Sequence, residues 1–113
     1  MIEVDLKVAL DAGFPELSGR VYPMIMPQDT KENSLTYRFL SQSEDSCMEG
    51  GVYNKRRHVQ IDVWANTYLE CITLSEKVST VLRANFNISG LFVVDIYEDY
   101  TLRYRRVVDF RIL

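Results

Sequence analysis

A chain of 113 residues, 47% hydrophobic and 26% charged, is long enough for one packed core and reads as a single domain over 1–113. Its formal net charge of −3 argues against generic nucleic-acid binding, which uses a basic face. Met1-Ile2-Glu3-Val4-Asp5 has neither the basic segment nor the apolar stretch of a signal peptide, and no run approaches the ~20 apolar residues of a membrane span, so the expected setting is a cytoplasm.

Ile2 to Ala12 has the period of a helix. Ile2, Leu6, Ala9 and Leu10 recur on one side, Val4 and Val8 widen the stripe, and Gly13 with Pro15 stops it. Gly19 to Pro23 reads as a short strand, and Met24 to Asn33 as a loop. Leu35 to Gln42 alternates, with Leu35, Tyr37 and Phe39 on one face. Ser43 to Asn54, rich in Ser, Glu, Asp and Gly, reads as a hairpin connection or an extended mobile loop.

Lys55 to Ala65 is the long central strand. Val59, Ile61 and Val63 share a face opposite Gln60, Asp62 and Trp64. Thr67 followed by Glu70 forms a capping-box pattern, which supplies partners for the orphan N–H groups of a helix start. The helix then runs to about Ala84, with Ile72, Leu74, Val78, Val81 and Leu82 on its buried side. Leu91 to Tyr97 is a strongly apolar strand, Glu98 to Thr101 a turn, and Tyr104 to Ile112 the last strand. The order is α-β-β-β-α-β-β. Strands in meander groups favour an α+β sandwich, an antiparallel sheet with two helices packed on one face. The predicted core is Ile61, Val63, Ile72, Val78, Phe92, Val94, Val108 and Phe110.

Few residues suggest bond-making chemistry. His58 is the single histidine, and Asp62, four residues along the same strand, stands about 13 Å away at ~3.3 Å per residue. His58 is therefore read as a surface or interface residue. Asp95, Glu98 and Asp99 could hold a metal or exchange protons, but a solvated turn accounts for them more simply. Cys47 and Cys71 are read as two free thiols, in a loop and a helix respectively. The motifs of hydrolases, zinc proteases, redox dithiols, calcium loops and phosphate loops do not occur. No catalytic residue, metal or cofactor is assigned.

Lys55-Arg56-Arg57 is a basic triplet, and Arg103, Arg105, Arg106 and Arg111 add charge on the last strand. With Tyr53, Tyr100 and Tyr104 they could form a stripe for single-stranded nucleic acid, by stacking plus phosphate contact. Arg and Tyr are also enriched at protein interfaces, and the acidic total favours that reading. Glu44, Tyr53, Asn54, Lys55, Arg56, Arg57, Arg103 and Arg105 are the interface candidates.

The order of segments resembles the small tail-completion (tail-terminator, head–tail joining) proteins of long-tailed bacteriophages and prophages. The resemblance is carried by an N-terminal helix, Gly19-Arg20-Val21-Tyr22-Pro23, Pro27-Gln28 and Leu35-Thr36-Tyr37. It continues in Val59-Gln60-Ile61-Asp62-Val63-Trp64-Ala65 leading to Tyr68, then Glu98-Asp99-Tyr100 and Tyr104-Arg105 to Asp109-Phe110-Arg111. Thr36 stands where that family tends to have proline. The resemblance implies a non-enzymatic virion protein that assembles, as a ring of six, on the head-proximal end of the tail tube. There it stops polymerisation and meets the head connector. The implied partners are other copies of the chain, the tail-tube protein and the connector, with no membrane. The implied location is the host bacterial cytoplasm, then the virion tail.

Overall fold

The computed structural model describes residues 2–25, 31–46, 52–98 and 103–113, with the side chains of 42–46, 52–56 and 98 outside that description. Helix α1 is Ile2–Gly13, and a 3₁₀ turn, Pro15–Leu17, leads into β1, Val21–Pro23. β2 is Ser34–Ser46, β3 Val52–Ala65, α2 Tyr68–Asn85, β4 Ile88–Glu98 and β5 Arg103–Ile112. The five strands form one sheet in the order β1-β2-β3-β5-β4. Every neighbour pair is antiparallel except β1–β2, which is parallel. A parallel neighbour needs a crossover connection; of the residues joining β1 to β2, 26–30 lie outside the described residues.

Alternation in β3 sets the layers. Val59, Ile61, Val63 and Ala65 are buried beneath the helices, together with Leu35 and Tyr37 of β2 and Val108, Phe110 and Ile112 of β5. α2 covers them with Cys71, Leu74, Val78 and Leu82, and α1 with Leu6 and Leu10. Gly13 lets the two helices approach, since a Cβ there would stand 2.6 Å from Cγ2 of Val81. Val4 and Val8 do not join the buried stripe of α1. They are 55% and 60% exposed, because one sheet and one neighbouring helix cover only the Leu6/Leu10 side.

Thr67 caps α2 as expected, its hydroxyl accepting from the Glu70 backbone N–H at 3.2 Å. The box closes differently. The Glu70 carboxylate takes a 2.8 Å hydrogen bond from the Asn33 side chain, tying the helix start to the segment before β2.

Two larger expectations also change. Ser43 to Asn54 is not mainly a connection: β2 continues to Ser46 and β3 already begins at Val52. β1 flanks β2 only at Leu35–Tyr37, and β5 pairs with β3 only from Arg57 onward. The outer parts of β2 and β3 therefore pair with each other as a two-stranded arm, on a molecule 53 × 26 × 24 Å across. A bulge at Leu40 sits at its root, where such a feature bends a strand. The second change is β4. Phe92 and Val94 are not core: they are exposed on the helix-free face of an edge strand, and the predicted core residue Ile72 of α2 is also only half-buried, outside the packed cluster. An apolar run identifies a strand, but not how many of its faces are covered.

Candidate assembly interface

The helix-free face of the sheet carries a connected polar network. Arg38 donates to Gln60 at 2.9 Å, Gln60 donates to Asp62 at 3.1 Å, and Arg105 donates to the other Asp62 oxygen at 2.7 Å. Asp62 is buried, and these donors replace the water it gives up on folding. The Arg105 guanidinium lies 5.0 Å from the Trp64 ring centre and that of Arg103 5.9 Å, a cation–π arrangement. The Trp64 indole N–H donates to the Thr36 hydroxyl at 3.2 Å. Beside this group, a shallow depression of about 310 Å³ is bordered by Arg38, Trp64 and the exposed Met24 and Ile25. Trp and Arg beside exposed apolar side chains are typical of protein interfaces.

The sequence candidates separate into two groups. Glu44, Tyr53, Asn54, Lys55 and Arg56 lie on the strands of the arm, where Glu44 is opposite Lys55 and Asp45 opposite Asn54. Their side chains lie outside the described residues. Arg57, Arg103 and Arg105 have partners within the chain. Arg57 pairs with Glu3 of α1 at 2.9 Å; a backbone hydrogen bond first, and then the bond from Arg57, hold the Glu3 carboxyl below its usual range. Arg103, buried, donates to the Glu32 carbonyl.

The basic residues do not form the continuous stripe that their order suggested. β3 and β5 are neighbours, but Arg57 lies opposite Ile112 while Arg105 lies opposite Trp64. That register puts the triplet and the Arg103/Arg105 pair at opposite ends of the sheet, about 20 Å apart at ~3.3 Å per residue. Tyr104 faces the helices instead, its ring 5.7 Å from that of Tyr68 and 5.0 Å from that of Tyr97. Period-2 alternation sends it to the face opposite Arg103 and Arg105.

His58 does find a carboxylate, but across the sheet: its Nε2 is 2.6 Å from Asp109 of β5. Asp95 faces α2, bonded to Arg106 at 2.6 Å and to the Tyr68 hydroxyl at 2.8 Å. Hydrogen bonding to Arg106, then to Tyr68, holds its carboxyl below the usual range. The side chain of Glu98 and all of Asp99 lie outside the described residues. Among the described residues no three metal-ligating side chains converge, and no helix is long and apolar enough to cross a membrane. Cys71 is a free thiol whose burial raises its pKa, while Cys47 lies outside the described residues. Of the Asp62–Arg105–Trp64 group, the sequence singled out Arg105 as an interface candidate but not Asp62 or Trp64. Its one signal was a tryptophan on the polar face of the central strand.

A family model described as "Tail completion protein gp17" matches residues 7–113. The chain belongs to this tail completion family. The match begins inside α1 and runs through all five strands, so the helix-free network and the arm both lie within it. Membership makes the chain a structural tail-completion protein and not an enzyme. Among solved structures, it is similar to a chain described as "Virion of native gene transfer agent (GTA) particle". That match has a TM-score of 0.59 and 13% identity, covering 95% of this chain and 89% of the other. It shows a shared fold for the tail completion protein. No curated protein matches the sequence.

Proposed function

We propose that this tail completion protein caps the head-proximal end of the tail tube, stops tube polymerisation and presents a surface to the head connector. The observation that carries the reading is the family match over residues 7–113. The protein is made in the host bacterial cytoplasm, acts there during assembly and stays in the virion tail. On the tube end it forms a closed ring of six copies through heterologous contacts, one patch meeting a different patch on the next copy. Free, it is a monomer, because ordering an interface costs free energy that the tube end offsets.

The arm, with Glu44, Tyr53, Asn54, Lys55 and Arg56, is the part that meets partners. Arg57 at the root of the arm, and Arg103 and Arg105 at the far end of the sheet, belong to two further contact patches and also hold their local shape, through Glu3, Glu32 and Asp62. Electron microscopy of particles made without the protein tests the function. Tubes of uncontrolled length and unattached heads are expected, and adding purified protein restores a defined tube end. Tails of normal length, joined to heads in its absence, would overturn the reading.

A further inference from the structure

β4 closes one side of the sheet, and among the described residues only β5 pairs with it. The outward N–H and C=O groups of this 11-residue strand form an edge that can template another strand. Folded monomers blunt such edges with lysine, proline or short length. β4 has none of these; its one irregularity is a register shift between Ser89 and Phe92, which leaves Phe92 to Glu98 as the regular stretch of the edge. Phe92, Val94 and Ile96 project on the helix-free face and Val93 and Tyr97 on the other, all exposed, Phe92 by 63%. Its one described charge, Asp95, is engaged by Arg106 and Tyr68.

The opposite side of the sheet is also open. β1 flanks β2 only at Leu35–Tyr37, leaving the outer edge of β2 open from Arg38 to Ser46 among the described residues. Most of that stretch belongs to the arm, and two strands alone are marginal in water. Among the described residues, one sheet thus ends in two open edges of comparable length. β2 runs antiparallel to β3, β3 to β5 and β5 to β4, so β2 and β4 run in opposite directions. A second copy, rotated about an axis along the strands, brings its β2 against β4 in the antiparallel sense, the commoner pairing. Arg38 then approaches the Asp95–Glu98 end of β4. The backbone at positions 44 and 45 approaches the Ser89 end.

We propose that the outer edge of β4 is the docking surface for the open edge of β2 in a neighbouring copy, so that the sheet continues from copy to copy. The proposal rests on the ring reading above and names the surfaces that close the ring. Hydrogen exchange, read by mass spectrometry on the full chain free and bound to uncapped tails, tests it. Amides in 88–98 and in 38–46 should slow together on binding. Slowing in 88–98 alone would mean that β4 pairs with itself, and would overturn the proposal. Slowing confined to other segments would overturn it as well. A chain that does not bind tail ends at all would instead refute the ring reading, and this proposal with it. Independently, a Phe92→Lys, Val94→Lys variant should keep the melting temperature of the free protein and bind tail ends at least tenfold more weakly. Wild-type binding by that variant would overturn the proposal.

Discussion

Asp62 shows how one buried charge shapes a surface. It sits on the polar side of the central strand, yet little of it meets water, and Arg105 and Gln60 supply its hydrogen bonds. Removing one partner strands the other. Arg105→Ala should therefore lower stability by about 2 kcal/mol in denaturant titrations, below the ~3–5 kcal/mol of a fully buried pair because both side chains keep some exposure. Adding Asp62→Asn should recover part of the loss. A single variant as stable as wild type would show that water replaces Arg105. Asp95 behaves differently with pH. Its folded-state pKa lies below the unfolded value, so its contribution is present above the ordinary aspartate range and is lost as pH falls through the folded value. The effect is modest, since the carboxylate is 43% exposed. Acid unfolding of Asp95→Asn should be shallower than that of wild type over that window, and an identical profile would remove Asp95 from the acid response.

At the scale of elements, local chemistry and tertiary demand can be told apart. Thr67 caps α2 by a rule visible in the sequence, and Thr67→Ala should cost about 1 kcal/mol in thermal or denaturant unfolding. Glu70, which completes the same pattern on paper, instead accepts a hydrogen bond from Asn33, 37 residues earlier in the chain. The arm makes the opposite case. Its strands lie beyond the reach of β1 and β5, so the core beneath the helices does not depend on them. Replacing residues 43–54 with a short turn should leave the melting temperature within a few degrees and abolish tail capping. A large fall in stability would mean that the arm packs on the core, and full capping would free it of the proposed partner role.

At the scale of the whole molecule, the proposed ring makes a prediction about mass. Sedimentation of the free protein should give one species near the chain mass of 13.2 kDa, and capped tails should carry six copies. A stable ring in free solution would show that the tube end is not needed to close it. Much of this architecture was legible in the residues. The order α-β-β-β-α-β-β and the core positions Ile61, Val63, Val78, Val108 and Phe110 follow from period and caps, because backbone geometry ties each side chain to one face of its own element. Family resemblance was legible too, in the succession of short motifs. Register, strand neighbours and coverage were decided only in three dimensions. They split the basic residues between two ends of the sheet, sent Tyr104 away from Arg103 and Arg105, and joined His58 to Asp109. They also left Phe92 and Val94 outside the core. Such outcomes depend on which strands meet and at what offset, and that is settled by summed packing between distant segments, which no local pattern records.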